Sequence, residues 1–342
     1  MRILVRIFRA IRWRAIAAIA GWGGLDVIEK GYASPIPDMT LLPDSIWGKR
    51  SEFRGIEFDL DAQMAFFKKD LAPYFGEFQP PLEPTGVGTD YYLHNKMYGP
   101  VDAHVLYSMI RSAKPKRIIE TGSGFSSKVM RMAIDANAKD GHTTDYKIFD
   151  PYPGESAAIA APLQMAAAPN LRKVSATDVA VEEYAELQAG DILFADTSHT
   201  VKTGGEVNYL FLDVLPALAP GVIVHIHDIY LPWEVPRDWI ERFRYYWAEQ
   251  YLLQGFLAFN PEYEIIFSCW GAVHDHGQEV AELIPSFVPY DYTNGPPLGD
   301  TAWHHPAPAA SKVGGLRGRL REGIGPTSEP SAIWLRRKEQ AG

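Results

Sequence analysis

Acidic and histidine side chains follow two short apolar segments in the second half of the chain. DILFADTSHT places Asp196 directly after one apolar run and His199 three residues later, while GVIVHIHD ends in His227 and Asp228. If both runs are neighbouring strands of a parallel sheet, these side chains meet at the carboxyl edge, where ligands bind. Carboxylates with open positions suit a hard divalent cation, so Asp196, His227 and Asp228 are predicted metal ligands.

Each of these residues also has a structural explanation. Asp196 could cap the helix that follows it. His227 shares a strand face with His225, and both could point into packing instead of toward a ligand. Four further histidines lie in loop-like sequence and are more typical of surface residues than of a metal site: His274, His276, His304 and His305.

A glycine-rich turn follows an earlier apolar run. RIIETGSGFSSK, residues 117–128, ends a predicted strand at Glu120 and passes through Gly122, Ser123 and Gly124 into a predicted helix. A dinucleotide fingerprint needs a third glycine, which lets helix and strand pack closely around a pyrophosphate, and this chain lacks it. The absence of G-K-[ST] also excludes a P-loop.

Two acidic residues flank this turn. Glu120 precedes it, and a carboxylate there would repel a pyrophosphate but attract a cationic amino-acid group. Asp150 ends the next predicted strand, YKIFD, where a carboxylate can accept both hydroxyls of a ribose. Two glycines between such acids suit a nucleoside with an uncharged linker, and S-adenosylmethionine fits that description.

Strands and helices alternate around these motifs. Short apolar strands alternating with helices imply right-handed crossovers and a parallel sheet covered on both faces, which is a doubly wound α/β fold. The predicted strands are RIIE, YKIFD, LRKVSA, DILFAD, GVIVHIHD, EYEIIFSCW and SAIWLRRK (331–338), and helices are predicted over 126–139, 155–168, 180–188, 205–218 and 239–257. The last helix is rich in aromatic residues, which favours core or dimer packing and leaves a homo-oligomer open.

Composition changes along the chain indicate its organisation. Residues 1–25 read as a basic amphipathic helix, and residues 26–100, rich in proline and aromatics, as a helical and irregular cap. Residues 101–342 form the predicted S-adenosylmethionine-binding domain, with a loop-rich excursion over 275–330.

With these motifs in register, the chain resembles the class I S-adenosylmethionine-dependent methyltransferases, in particular small-molecule and sugar O-methyltransferases whose first motif reads like IIETGSGFSS. The resemblance covers roughly residues 90–270 and resumes at SAIWLRRK. It implies a mostly parallel Rossmann-like methyltransferase fold. It also implies that the glycine turn holds the methionine moiety and Asp150 the ribose.

The resemblance extends to the chemistry after strands four and five. Metal-dependent O-methyltransferases similar to this chain carry a metal-ligand aspartate after strand four and a base three positions later, which Asp196 and His199 match. They usually carry two acids or Asp-Asn after strand five, so the His227-Asp228 pair departs from the pattern. His199, with an ordinary pKa near ~6.5, suits a general base that removes the hydroxyl proton.

The predicted protein is therefore an O-methyltransferase that uses S-adenosylmethionine, assisted by Mg²⁺ or Mn²⁺, acting on a hydroxyl of a small molecule or glycan. Two alternatives stay open: an NAD-dependent oxidoreductase on the same fold, and a catalytically silent, membrane-associated cofactor-binding protein. The missing third glycine and Glu120 weigh against the oxidoreductase. The presence of His199 and of the two aspartates, Asp196 and Asp228, weighs against a catalytically silent protein. The predicted cofactor-binding residues are Glu120, Gly122, Ser123, Gly124, Asp150 and Asp196.

Composition restricts the partners and the compartment. A net charge of -9 argues against broad nucleic-acid binding, which depends on neutralising phosphates. The single cysteine, Cys269, permits neither an internal disulfide nor a cysteine-based zinc cluster, which fits a reducing cytoplasm.

The N-terminal sequence MRILVRIFRAIRWRAIAAIAGWGG carries five arginines and does not read as a signal peptide or a transmembrane helix. On a helical wheel its arginines and its large apolar residues lie on opposite sides, the pattern of a basic helix on an anionic inner-membrane surface. Residues 1–20 could instead dock on the protein itself or on a partner. The basic side of the wheel holds Arg2, Arg6, Arg9 and Arg12, and the apolar side holds Leu4, Ile7, Phe8 and Ile11.

Overall fold

The computed structural model divides into two compact units, Met1–Asp44 and Ser45–Gly342. It describes residues 2–29, 31–85, 90–95, 97–153, 169–241, 243–289 and 329–339. The predicted domain boundaries at residues 25 and 100 stay predictions.

The first unit contains one long helix, α1 (Arg2–Trp22). Its described side chains, from Ile11 onward, are mostly exposed. Among the described residues, no helix is both long enough and apolar enough to cross a membrane.

The second unit begins with short helical segments. Helix α2 (Leu60–Phe66) starts where the Asp59 side chain accepts a hydrogen bond from Ala62 N at 3.0 Å. It continues into a π-helical turn (Phe67–Leu71) and a 3₁₀ helix (Ala72–Glu77). Phe67 stacks on Phe267 with ring centroids 5.1 Å apart, so these segments pack against the sheet. A further 3₁₀ turn spans Asp44–Ile46.

Helix α3 (Pro100–Ala113) precedes the sheet. Proline at its first position suits a helix start, since its missing N–H would have no partner there. The helix ends at Lys114, whose left-handed φ of 46° is incompatible with a further turn.

A seven-stranded sheet forms the centre of the second unit, in the order β3-β2-β1-β4-β5-β7-β6. The first five strands pair in parallel, and β7 pairs antiparallel with both β5 and β6. The strands are β1 (Arg117–Thr121), β2 (Asp145–Phe149), β3 (Leu171–Arg172), β4 (Ile192–Ala195), β5 (Ile223–Ile226), β6 (Tyr263–Ser268) and β7 (Ile333–Arg337).

The central strands are buried on both faces, as a parallel sheet between helical layers requires. Every residue of β4 and β5 is buried, and Ile119, Leu193 and Val224 belong to one core cluster. The strand order changes direction at β1, whose neighbours β2 and β4 lead to opposite edges, and ligands of such sheets bind outside the carboxyl ends of the strands at this point. The predicted doubly wound, mostly parallel, Rossmann-like fold is confirmed.

The remaining helices cover the sheet or follow its strands. Helix α6 continues through a π-helical turn (Leu210–Val214) into α7, and a short 3₁₀ turn spans Ala176–Asp178. Ser268 ends β6, and its Oγ caps α10 by accepting a bond from Gly271 N at 3.0 Å. The helices are α4 (Phe125–Lys139), α5 (Val181–Tyr184), α6 (Glu206–Tyr209), α7 (Leu215–Ala217), α8 (Arg237–Glu241), α9 (Glu249–Leu257) and α10 (Cys269–Leu283).

Several predicted elements differ from those observed. The third strand is only two residues long, the helix predicted over 180–188 spans four, and EYEIIFSCW leaves the sheet at Ser268. The predicted excursion over 275–330 begins inside α10, and residues 290–328 lie outside the described part of the chain. The helix predicted over 155–168 also lies outside it.

The helix predicted over 239–257 is wrong in its centre. Helix α8 ends at Glu241, α9 begins at Glu249, and Arg244 between them has a left-handed φ of 61°. Ala248 N and Glu249 N donate to the carbonyl of His199 at 3.1 and 3.3 Å. These bonds to the segment after β4 hold the start of α9 there, in place of a continuous helix.

Candidate active site

The glycine turn lies between the ends of β2 and β4. Gly122 has a φ of +83°, and a Cβ there would lie 1.7 Å from the carbonyl oxygen of Asp196. Its N–H donates to Phe149 O at 2.9 Å. Only glycine permits this conformation and this approach. Gly124 is the N-cap of α4, and a Cβ at this residue would meet no atom of the described residues within 4 Å, so they leave space beside the turn.

Ser123 joins the turn to the acid at the end of β2. Its N–H donates to Asp150 Oδ2 at 3.0 Å, and its hydroxyl donates to the same oxygen. Asp150 Oδ1 accepts a bond from Tyr152 N at 2.7 Å. The structure thus brings together two predicted cofactor residues from separate segments, with the carboxylate beside the turn.

Glu120 lies beneath the turn and is completely buried. Its Oε1 accepts bonds from Ser126 Oγ at 2.9 Å and Ser127 Oγ at 2.8 Å, and its Oε2 accepts one from Tyr146 OH. Burial raises the pKa of Glu120 to about 8, although the three hydroxyl donors oppose that rise. These contacts make it a support that ties β1 to β2 and α4, and its predicted contact with a cofactor stays a prediction.

Asp196, His199 and Asp228 converge beyond the ends of β4 and β5. His199 Nε2 lies 3.1 Å from Asp196 Oδ1 and 3.2 Å from Asp228 Oδ2. One possible ligand atom from each of these residues lies within 4.8 Å of the other two, close enough to share one metal ion. His199, predicted as the base, therefore occupies the position of a third candidate ligand.

The backbone is strained at two of these residues. His199 has a φ of 52° and Asp228 a φ of 58°, both in the left-handed region that residues other than glycine rarely adopt. Strain of this kind is retained where a specific side-chain geometry is needed, and it clusters at functional sites.

Glu249 completes the environment of His199 from the first turn of α9. Its Oε2 lies 2.8 Å from His199 Nδ1, and both side chains are buried. Nδ1 donates to Glu249 when that carboxyl is ionised, and Nε2 faces the two aspartates. A carboxylate on the outer nitrogen of a histidine is the usual support for a metal-binding or proton-accepting imidazole.

The charges around His199 shift several pKa values. Burial alone would lower the pKa of His199, but Asp228, Asp196 and Glu249 outweigh it and raise that pKa well above its usual value. Burial would raise the pKa of Asp196, but His227 and His199 hold it at about 2. Three carboxyl groups surround one imidazole, and burial raises the pKa of one of them, Glu249. Such a set of donors suits a divalent cation.

His227 lies further from this group. Its Nε2 is 3.8 Å from Asp228 Oδ1, and its ring packs against Tyr98, with centroids 5.0 Å apart, and against His225, at 5.6 Å. Among the described residues, its buried Nδ1 has no hydrogen-bond partner. The predicted metal role of His227 stays a prediction, and His199 is the histidine whose ring nitrogen meets both aspartates.

The two residues before β7 also reach the site. Ser331 Oγ donates to Asp228 Oδ1 at 3.1 Å, and Ile229 N donates to Ser331 O at 2.8 Å. The buried Asp102 of α3 accepts bonds from Ser331 N and Ala332 N, both at 3.1 Å. Sequence reasoning missed Glu249, Ser331 and Asp102.

A row of aromatic rings borders His199. The centroid of the Trp247 ring lies 4.4 Å from that of His199. Trp247 also stacks on Tyr245, with ring centroids 4.7 Å apart, and Tyr245 stacks on Phe243, with centroids 5.9 Å apart. These rings belong to the non-helical segment between α8 and α9, and all three are half-buried. They were predicted to lie on a helix in the core or at a dimer contact, but the structure places Trp247 beside the site.

Residues 119–229 match a family model described as a methyltransferase domain. An uncharacterized protein of Archaeoglobus fulgidus is 28% identical to this chain over 131 residues, which cover 36% of this chain and 58% of the relative. The chain thus spans less than two thirds of that relative. The matched domain, which includes the glycine turn and the Asp196 group, supports methyl transfer and does not favour an oxidoreductase. S-adenosylmethionine is the usual cofactor of such domains.

Proposed function

We propose that this chain transfers a methyl group from S-adenosylmethionine to a hydroxyl of a small molecule or glycan, with the help of Mg²⁺ or Mn²⁺. The observation that carries the proposal is the convergence of two groups at one edge of the sheet. The glycine turn meets Asp150 there, and the backbone carbonyl of Asp196 packs on Gly122 while its side chain reaches His199.

The cofactor would be held by Gly122, Ser123, Gly124 and Asp150. The space beside Gly124 and the Asp150 carboxylate bonded to Ser123 suit a nucleoside and its amino-acid chain. When bound, S-adenosylmethionine supplies a methyl group on a positively charged sulfur. Asp150 would exchange its bonds from Ser123 for bonds from ribose hydroxyls, which need the same acceptor oxygens.

The metal would be held by Asp196 and Asp228. Both are carboxylates on neighbouring strand ends, and their oxygens face the same imidazole nitrogen. A bound Mg²⁺ or Mn²⁺ supplies charge that lowers the pKa of a nearby hydroxyl. Ser331 fixes the second oxygen of Asp228, which leaves its Oδ2 directed at the centre of the group.

His199 would act as the general base at Nε2. The charges of Asp228 and Asp196 raise the pKa of His199. A divalent cation on these two carboxylates would offset their charge and lower that pKa, so that Nε2 could accept a proton from a hydroxyl. Glu249 accepts the bond from Nδ1, which orients the ring and stabilises the imidazolium that forms.

Calorimetric titration with S-adenosylmethionine tests the cofactor site. D150N should weaken binding by about tenfold to a hundredfold, because it removes a charged acceptor. D145N is the matched control: Asp145 stands at the exposed, opposite end of the same strand and should leave affinity unchanged. Equal affinities in the two variants, or tight binding of NADH instead, would contradict the proposal.

Manganese binding, followed by electron paramagnetic resonance, tests the metal site and the role of His199. D228N should release Mn²⁺, whereas the exposed control D213N should not. H199Q should retain Mn²⁺ but lose methyl transfer from labelled cofactor to a panel of catechols and monosaccharides. Loss of Mn²⁺ in H199Q, to the same degree as in D228N, would make His199 a ligand instead of the base.

A further inference from the structure

Exposed hydrophobic side chains are concentrated in the first compact unit. Within the described part of the chain, ten of the eighteen exposed large hydrophobic residues lie between residues 11 and 41. Solvent-exposed apolar residues at this density mark an interaction surface, whereas isolated ones are normal. The concentration therefore marks the first unit as a candidate interaction surface.

Two of these side chains, Ile11 and Trp22, lie on one side of helix α1, whereas Ile16 and Ile19 lie off that side. Ile11, Ala15, Ala18 and Trp22 are spaced by three or four residues, so they form a continuous stripe. Ile11 is 62% exposed and Trp22 is 95% exposed. A tryptophan at the end of such a stripe is typical of helices at a membrane–water interface, because its ring is apolar and its N–H needs a polar partner.

Basic residues border this stripe. Arg12 and Arg14 are both exposed, and their positions place them on either side of the line from Ile11 to Trp22. The sequence of α1 holds five arginines and no acidic residue, and the first acid of the chain is Asp26. The chain as a whole has a net charge of -9, so this positive charge is a local feature.

We propose that α1 lies along an anionic lipid surface, with the Ile11–Trp22 stripe in the acyl boundary and the arginines at the level of the phosphates. Long arginine side chains can keep their charge in water while their stems cover apolar surface. A single protein groove would leave the arginines on one flank without phosphates or acids, whereas a lipid surface supplies anions on both flanks. This inference does not depend on the methyltransferase activity.

Sedimentation with lipid vesicles tests the proposal on the full chain. Binding to vesicles containing phosphatidylglycerol should exceed binding to pure phosphatidylcholine, and should weaken as salt is raised. I11D should reduce binding by about tenfold or more, because it removes a buried apolar contact and adds a negative charge. L212D is the matched control, since Leu212 is also 62% exposed but lies in the second unit.

A second variant and a second measurement complete the test. R12Q/R14Q keeps the apolar stripe and should weaken binding only to the anionic vesicles, with unchanged circular dichroism. Equal sedimentation of I11D and the wild-type chain would overturn the proposal, as would equal losses in I11D and L212D. A dimer that I11D dissociates, without any vesicle binding, would overturn it in favour of a second copy of the chain.

Discussion

His199 has both ring nitrogens committed to carboxylates, and this arrangement defines the chemistry of the site. Nδ1 is bonded to Glu249, while Nε2 faces Asp196 and Asp228. A surface histidine would rotate freely, whereas this one is buried, fixed at one nitrogen and held in a left-handed backbone conformation. The surrounding contacts hold His199 in this strained conformation and keep its ring in one orientation.

The bond between His199 and Glu249 can be tested directly by NMR. Because both residues are buried, the Nδ1–H proton of the wild-type protein should give a downfield resonance that exchanges slowly with solvent. E249L should abolish this resonance, and E249Q should retain it, since an amide oxygen still accepts the bond. E241Q, on the neighbouring helix α8, should leave it unchanged. A resonance that persists in E249L would contradict the assignment, and its absence from H199Q identifies the ring.

The residues after β4 and β5 could be predicted from sequence because each follows an apolar strand at a fixed spacing. Glu249 could not, because fifty positions separate it from His199 and only the fold brings them together. Its aromatic neighbours indicated a helix face and gave no sign of a buried acid. Ser331 was equally hidden, since the sequence of β7 does not reveal which strands it pairs with.

The turn after β1 is an element whose shape depends on one glycine. The carbonyl of Asp196, at the end of β4, occupies the space where a side chain at Gly122 would begin. The position of this turn therefore couples the Ser123–Asp150 pair to the Asp196–His199–Asp228 group.

Substitution of the two glycines separates folding from binding. G122A should lower the free energy of unfolding by about 2 kcal/mol or more, because alanine is strained at positive φ and meets the Asp196 carbonyl. G124A should change stability by less than about 1 kcal/mol, since its Cβ meets no atom and its φ is extended. Urea denaturation measures both.

G124A should nevertheless weaken S-adenosylmethionine binding, because a methyl group would enter the space left open beside the turn. Unchanged affinity in G124A would place the cofactor elsewhere. Equal stability of the G122A variant and the wild-type protein would show that the turn can move away from Asp196.

Periodicity predicted the alternating strands and helices, since short apolar runs between turn residues have few other solutions. It failed at residues 243–248, where the aromatic spacing resembled that of a helix. In the structure, the N–H groups at the start of α9 donate instead to the carbonyl of His199. His199 lies far from this segment in the sequence, so the break in the helix was not predictable from the local residues.

The protonation of the buried Glu120 makes the stability of the whole molecule depend on pH. Its pKa of about 8 lies above the ordinary value near 4.5, because burial disfavours the ionised form. The folded state therefore binds a proton that the unfolded state releases. The resulting stabilisation is complete at low pH and is lost as pH rises toward 8.

Comparison of E120Q with the wild-type protein isolates this effect. Between pH 5 and pH 8 the free energy of unfolding of the wild type should fall, relative to E120Q, by up to about 1.4 kcal/mol per pH unit. Chemical denaturation at a series of pH values measures the difference. Parallel pH profiles for the two proteins would show that Glu120 keeps the same proton occupancy on unfolding.

Strand β7 follows β6 in the sequence but lies between β5 and β6 in the sheet. It enters between β5 and β6, and its approach delivers Ser331 to Asp228 and two backbone N–H groups to the buried Asp102. A nascent chain that has reached β6 still has a gap in its sheet, an incompletely held aspartate and an acid without its donors. Asp228 and Asp102 therefore acquire these partners only after the segment leading into β7 has been synthesised and has entered the sheet between β5 and β6.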